Sequence, residues 1–156
     1  MKNYSPMLRK KRELELKTEI NDTRKFSSKH IFHVAEYRTV HDIDYWIENG
    51  GSVDAKDNVN NTPLHYVAWK NPSVEVLKYF VSKGADIIAK NNYGNTPLHF
   101  AAEFNSKAEV LQSLTSLSVN VNAKRYYDGR TPLDVANTED KRQVLRKAGG
   151  KSGVEL

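Results

Sequence analysis

The chain has 156 residues and a mass of 17.8 kDa, with 38% hydrophobic and 28% charged residues, and its length suits one compact domain or one short repeat array. Because cysteine is absent, disulfides, thiolate nucleophiles and sulfur-based metal sites are excluded. No apolar run approaches the ~20 residues of a membrane helix, and the first residues lack the apolar core of a secretory signal, so we expect a cytoplasmic chain.

Residues 1–26 form a basic arm that precedes every repeated motif. They hold eight basic and four acidic residues, a charge of +4 out of the chain's +5. Their basic cluster consists of Arg9, Lys10, Lys11 and Arg12. One interpretation is a contact for nucleic acid or an anionic membrane, and the other is the solvated face of a helix that caps the body. Three glutamates follow by residue 19, which favours the capping helix.

The first stretch with helical spacing covers residues 27–56. We predict one helix around residues 31–35 and a second whose apolar face contains Ile43, Trp46 and Ile47. The acidic side chains of this second helix are expected on its solvent side, namely Asp42, Asp44 and Glu48.

Two motifs recur along the rest of the chain at one interval, the repeat period. Thr-Pro-Leu-His begins at Thr62 and again at Thr96, and it returns with aspartate in the last place at Thr131, one residue later than a strict repeat would place it. A Gly-Ala-Asp-type segment is out of phase with this motif and starts at residues 50, 84 and 118, at the same interval as Thr62 and Thr96. A shared period of this length is typical of a stacked repeat array.

Each motif predicts a local structure. Threonine before proline predicts a helix start, because the threonine caps the helix and proline occupies the position where an N–H is not needed. A second helix follows, and in the unit after Thr62 its apolar residues are Val74, Leu77, Phe80 and Val81. Gly84 predicts a left-handed end to that helix, and residues 90–95 predict a turn. Asn60 occupies the repeat position of Gly94, and we expect it to adopt the left-handed conformation, which asparagine tolerates better than most residues.

The last unit is expected to be atypical. Its second helix is predicted over residues 139–147, capped by Thr138 and ended by Gly149. The turn before it, residues 124–130, contains one residue more than its two predecessors.

This pattern resembles the ankyrin-repeat family, in which helix pairs alternate with β-turn fingers before each Thr-Pro-Leu-His. The resemblance covers residues 27–150 and implies an all-α solenoid of stacked helix pairs with β-turn fingers. It divides the array into four units and leaves residues 151–156 as a tail, the units being 27–56, 57–90, 91–124 and 125–150. It also implies protein–protein interaction. Some bacterial members act inside a host cell, so that location stays open beside the cytoplasm.

Catalytic, cofactor and metal chemistry has no candidate residues. A glycine-rich phosphate loop, a nucleophile elbow and an HExxH motif are all absent. His30 and His33 share a helical face but have no third ligand at a diagnostic spacing. His65 and His99 occupy equivalent positions, where the resemblance implies that histidine ties helix starts together. We therefore predict that the chain is not an enzyme and holds no cofactor or metal.

The resemblance further implies a groove lined by the finger tips and the exposed sides of the first helices. On this chain it predicts partner contacts at Tyr37, Trp69, Lys70, Tyr93, Glu103, Phe104, Tyr126, Tyr127 and Arg130. Aromatic residues and arginine anchor interfaces because they bury a large area with few rotatable bonds. The alternative for Trp69 and Phe104 is packing between repeats. We expect a monomer that binds a protein; a complex held by the basic arm would instead weaken steeply with salt.

Overall fold

The structure is a computed structural model that describes residue 35, residues 39–48 and residues 50–156. The basic arm, Tyr37, and the pair His30 and His33 lie outside these residues, so the predictions about them stay predictions. The described part contains helices and no strand. The helices are α1 (Val40–Glu48), α2 (Pro63–Lys70), α3 (Val74–Ser82), α4 (Pro97–Glu103), α5 (Ala108–Thr115), α6 (Pro132–Val135) and α7 (Glu139–Lys147). None of the described helices is long and apolar enough to cross a membrane.

The helices stack in pairs, in chain order. The first helices α2, α4 and α6 pack on one another, and the second helices form a parallel row in which α3 contacts α5 and α5 contacts α7. The core lies between the rows, where Leu64, Leu98, Leu77 and Leu111 are almost fully buried. Because each unit covers the apolar face of its neighbour, the core is continuous along the stack.

The first helices begin at the positions that the sequence predicts. Thr62 and Thr96 have extended backbones and are followed by proline at the first helical position. The histidine of each motif folds back over the start of its helix, so that the Thr62 N–H donates to His65 Nδ1 at 3.0 Å and the Thr96 N–H to His99 Nδ1 at 3.2 Å. The helix start is therefore closed by the motif itself.

The second helices match the predictions, except that the buried face of α3 contains a residue that was not predicted. In α3, Leu77 and Phe80 are buried as expected, but Val76 is buried with them while Val74 and Val81 are only half-buried. Helix α7 has the predicted bounds, and the Thr138 side chain accepts a hydrogen bond from the Lys141 N–H at 3.4 Å. Gly84 and Gly149 follow α3 and α7 with φ angles of +88° and +86°, which glycine adopts without strain.

The expectation that Asp42 faces solvent is wrong. Asp42 is buried, and its Oδ2 accepts hydrogen bonds from the Thr39 N–H at 3.1 Å and the Thr39 hydroxyl at 3.0 Å. The carboxylate therefore serves the start of α1. Asp44 is partly exposed, and it binds the Tyr79 hydroxyl and the Lys83 ammonium, the latter at 3.2 Å.

Buried amide and amine groups tie neighbouring units together. Asn105 Nδ2 donates to the carbonyl oxygen of Ala68 in the preceding unit at 2.9 Å, and Asn71 makes the equivalent contact one unit earlier. In the last unit Lys141 takes over this role, because its Nζ donates to the Ala102 carbonyl at 3.1 Å. Such bonds satisfy carbonyl groups that the stack removes from water.

Each finger is closed at its base by a backbone hydrogen bond. Asn91 N–H donates to Asn95 O at 3.0 Å, whereas Arg125 N–H donates to Arg130 O at 3.0 Å. The third finger therefore spans one residue more, as the sequence predicts. The left-handed conformation expected of Asn60 in the first finger is also observed, with a φ of +62°.

Neighbouring fingers are joined edge to edge. The Asn92 N–H donates to Val59 O at 2.9 Å, and the Tyr126 N–H donates to Tyr93 O at 3.0 Å. The two donors are one repeat period apart, and so are the two acceptors, so the fingers keep the register of the repeats.

The tail packs against the last unit. The Thr131 hydroxyl donates to Lys151 O at 2.7 Å, and the Gly153 N–H donates to Asp134 Oδ2 at 2.7 Å. In addition, the Lys151 N–H donates to Asn122 Oδ1 at 2.7 Å. The tail thus lies against the start of α6, where a further finger would lie in a longer array.

Candidate functional site

An aromatic cluster lies where α2 and α4 stack. Trp69 is near the end of α2, Phe100 is on α4, and Phe104 directly follows α4. The ring centroid of Trp69 is 6.0 Å from that of Phe100 and 5.8 Å from that of Phe104. Trp69 and Phe100 are half-buried, whereas 49% of Phe104 is exposed. The predicted alternative, packing between repeats, is therefore observed for Trp69 and Phe104, although both rings still present a face to solvent, and their role as partner contacts stays a prediction.

Lys70 lies at the rim of this aromatic cluster. The exposed side chain of Lys70 places Nζ 4.4 Å from the centroid of the Trp69 ring. A cation above a tryptophan face is attracted by the ring electrons, by ~0.5–1 kcal/mol at an exposed site. Lys70 is thus held beside the cluster.

Arg125 connects the first-helix row to the third finger. It is buried, with only 8% of its surface exposed. Its Nη2 donates to Glu103 Oε2 at 3.3 Å, and its Nη1 donates to the Tyr127 hydroxyl at 3.4 Å. Its Nε lies 3.9 Å from Asp128 Oδ1 and makes no hydrogen bond with the described atoms. The guanidinium neutralises Glu103 and holds Tyr127 at the end of α4.

Tyrosines dominate the surfaces of the second and third fingers. Tyr93 is 51% exposed, Tyr126 66% and Tyr127 69%. The Tyr126 ring lies on Gly94, whose missing Cβ would stand 2.9 Å from Tyr126 Cγ, and Lys90 Nζ is 5.3 Å from the ring centroid. Only glycine leaves room for this contact, and its φ of +79° also favours glycine.

Two buried histidines position the fingers. His65 Nε2 lies 3.0 Å from Asn95 O, and His99 Nε2 lies 3.2 Å from Arg130 O. Because a carbonyl oxygen only accepts, each Nε2 carries the hydrogen and each Nδ1 is the acceptor. Burial lowers the pKa of both histidines to about 4, so they are neutral at pH 7. Their ring nitrogens are used in structural bonds.

The structure brings the predicted contact residues into two groups. Trp69, Lys70 and Phe104 belong to the aromatic cluster and its rim, while Glu103 and Tyr127 meet through Arg125. The remaining described ones lie on the fingers: Tyr93 and Tyr126 are joined through their backbones, and the Arg130 side chain is exposed. Tyr37 lies outside the described residues.

Two residues of this surface were missed from the sequence, and the repeat period contains a signal for both. Phe100 stands one repeat period after Tyr66, so the same repeat position is aromatic twice. Arg125 occupies the repeat position of Asp57 and Asn91, and it replaces a short polar residue that closes the finger in both earlier units. A large charged residue at a repeat position that is otherwise short and polar indicates that Arg125 makes different contacts from Asp57 and Asn91.

The described residues hold no group of three or more histidine, cysteine, aspartate or glutamate side chains placed to bind a metal ion.

Comparison with known proteins agrees with this geometry. The family model described as ankyrin repeats, in three copies, matches residues 31–125. No curated protein matches the chain. The matched range contains the aromatic cluster, the first two fingers and Arg125.

Proposed function

Because the chain belongs to the ankyrin-repeat family, whose members are generally protein–protein interaction modules, we propose that it binds a partner protein through one aromatic surface. This surface consists of the aromatic cluster (Trp69, Phe100 and Phe104) and the finger tyrosines (Tyr93, Tyr126 and Tyr127). Arg125 links its two parts through Glu103 and Tyr127.

One observation carries the proposal. Among the described residues, the large aromatic side chains classed as exposed are Tyr93, Phe104, Tyr126 and Tyr127. All four lie on the fingers or directly after a first helix, and none lies on the described second helices. Aromatic residues gathered on one side of a protein are typical of an interface, because they release much ordered water when covered.

The proposed activity is binding without catalysis, by a monomer. The two buried histidines are neutral and engaged in bonds within the fold, and Arg125 is paired with Glu103. The family is typically non-enzymatic. The half-buried and exposed rings supply area, while the surrounding polar groups of the fingers supply orientation.

The proposal is tested by single alanine substitutions in the full chain. A partner is first captured by affinity purification with crosslinking, and its affinity is then measured by calorimetry. Tyr93→Ala and Trp69→Ala are each expected to weaken binding by about 2 kcal/mol, roughly 30-fold, and Lys70→Ala by well under ~1 kcal/mol. Tyr127→Ala is the variant in which we expect the smallest change in stability, because 69% of this side chain is exposed.

A matched control lies on the second-helix face. Gln112 is exposed on α5, and Gln112→Ala is expected to keep full affinity. Thermal unfolding of every variant separates lost folding from lost contact. Full affinity in Tyr93→Ala and Tyr127→Ala, together with loss of binding in Gln112→Ala, would place the partner on the opposite face and refute the proposal.

A further inference from the structure

Arg125 stands at the repeat position whose side chain closes the two earlier fingers. Asp57 Oδ1 accepts hydrogen bonds from two backbone N–H groups of its own finger, at 2.9 and 2.8 Å, and Asn91 Oδ1 accepts the equivalent pair at 3.0 Å each. A guanidinium group has donors only, so Arg125 cannot make these bonds. In the third finger Asp128 supplies the acceptor instead, because its Oδ1 binds the Arg130 N–H at 3.1 Å. The Arg125 side chain is thus available for contacts outside its finger.

The replacement places a charged group in the interior. Arg125 is only 8% exposed, and its Nε–H is buried without a hydrogen-bond acceptor among the described residues. Removing a guanidinium from water is costly unless its N–H groups are satisfied, whereas the short polar residues of the earlier fingers avoid that cost. Departures from the stable local solution are concentrated at functional positions. Closure of the finger alone therefore does not account for arginine here.

Arg125 holds one of the two exposed tyrosines of its finger and leaves the other to a different neighbour. Its Nη1 donates to the Tyr127 hydroxyl at 3.4 Å, while its Nη2 donates at 3.3 Å to Glu103, the last residue of α4. Tyr126 is held separately, because its ring lies on Gly94 of the second finger. The planar guanidinium therefore ties Tyr127 to the end of α4 and has no such contact with Tyr126.

We propose that Arg125 is a positioning residue of the aromatic surface. It holds the exposed ring of Tyr127 at the end of α4, where Phe104 follows, so that Tyr127 and Phe104 bind the same segment of the partner. Arg125 has almost no surface of its own to offer a partner, so it acts through Tyr127. Fixing an exposed ring before binding reduces the entropy that binding removes. This inference rests on the proposed function, because it names the residue that orders the same surface.

The positioning is tested first in the unbound, full-length chain. Fluorotyrosine is incorporated in place of Tyr127 or, as the internal control, in place of Tyr126, and its fluorine NMR signal is compared between the unmodified chain and Arg125→Lys. Lysine keeps the charge but lacks the planar fork that reaches Glu103 and Tyr127 together. We expect the signal at position 127 to shift and the signal at position 126 to stay. An unchanged signal at position 127, or equal shifts at both positions, would overturn the inference.

The effect on binding is measured with peptides selected from a random display library on the unmodified full-length chain and then synthesised. Tyr127→Phe removes the hydroxyl that Arg125 contacts and keeps the ring. We expect Tyr127→Phe and Arg125→Lys each to weaken binding by about two- to tenfold. The double variant is expected to bind no more weakly than either single variant, because both changes break one contact. Arg142→Lys is the matched control, since Arg142 pairs with Glu139 on the second-helix face, and it is expected to keep full affinity.

The outcomes separate this inference from the proposed function. Additive losses in the double variant, or full affinity of Arg125→Lys for peptides that Tyr127→Ala weakens, overturn the positioning role and leave the aromatic surface standing. If thermal unfolding shows that Arg125→Lys does not fold, Glu103→Ala replaces it under the same criteria, because it removes the anchor of Arg125 at a side chain that is 30% exposed. Peptides indifferent to Tyr93→Ala, Phe104→Ala and Tyr127→Ala contradict the proposed function itself.

Discussion

Asp134 accepts a hydrogen bond from the backbone N–H of Gly153 at 2.7 Å, across 19 residues of chain. At the equivalent position, His65 and His99 bind the carbonyl oxygen of the following finger. The tail presents an N–H group where a finger presents a carbonyl, so the last motif requires an acceptor. This difference explains the change from histidine to aspartate in the third Thr-Pro-Leu motif.

The charge state of Asp134 follows from the same contact. Burial acts to raise the pKa of Asp134, but hydrogen bonds from the N–H groups of Thr131 and Gly153 together lower it below its ordinary value. The aspartate is therefore ionised at neutral pH, as an acceptor of several N–H groups should be.

Gly153→Ala is expected to destabilise the protein. A Cβ at this position would lie 2.4 Å from Gly129 O, so the tail has to shift and its bond to Asp134 is weakened. We expect the free energy of unfolding in urea to fall by roughly 1–3 kcal/mol. Val154→Ala is the matched control, because Val154 is 97% exposed. Equal stability of the two variants would show that the tail does not contribute to the fold.

Leu98→Ala is expected to be far more costly than Thr96→Ala. Leu98 is 1% exposed between inner units, and removal of its side chain leaves a cavity worth about 2–5 kcal/mol. Thr96→Ala removes the hydroxyl that lies 3.0 Å from His99 Nδ1 and is expected to cost about 1 kcal/mol. Denaturant midpoints give the order. If Leu98→Ala behaved like a surface substitution, the assignment of the repeat register would be wrong.

Acid is expected to destabilise the array through its two buried histidines. These histidines have a pKa of 6.5 in the unfolded chain and of about 4 in the folded chain. Their full contribution to the free energy of unfolding is therefore present above pH 6.5, and it is lost as the pH falls to about 4. Each histidine accounts for up to about 3 kcal/mol of this loss. Urea unfolding at a series of pH values measures the slope.

The control for the acid slope is His41→Gln, because His41 is exposed at the start of α1. We expect this variant to keep the slope, whereas His65→Gln should reduce it, whatever its stability at pH 7. An unchanged slope in His65→Gln would mean that His65 does not titrate as its burial requires.

Lys141 is expected to make the protein more stable at alkaline pH. Burial lowers the pKa of its ammonium group below the ordinary 10.5. At a pH between the lowered pKa and 10.5, the unfolded chain therefore holds more protons than the folded chain. The free energy of unfolding should therefore rise with pH in that window. Lys141→Met should show a smaller rise from pH 8 to 10, and Lys147→Met, which changes an exposed lysine, should not. Identical slopes in both variants would contradict the prediction.

Local and periodic features could be predicted from the sequence. Four of them depend on neighbouring residues or on the repeat period: the starts of α2 and α4, the bounds of α7, the left-handed Asn60 and the extra residue of the third finger. Caps, turns and amphipathic faces act over a few residues, so their patterns are visible without a structure. The nine predicted contact residues follow from the family resemblance, and their role in binding stays a proposal.

What only the tertiary structure decided involves contacts without a repeating pattern. Three such contacts depend on the space left by a neighbouring unit. They are the burial of Asp42, the hydrogen bond from Arg125 to Glu103, and the Lys141 amine that takes the place of an asparagine amide.

The tail is the clearest case. Residues 151–155 match no motif, yet their N–H and carbonyl groups satisfy Asn122, Thr131 and Asp134 at the end of the stack. The period of the sequence thus determined the stacked helix pairs, because every inner unit repeats the same local interactions. The tertiary structure decided how residues 151–155 pack against the fourth unit, because the polar groups of that unit bind whatever chain lies beside them.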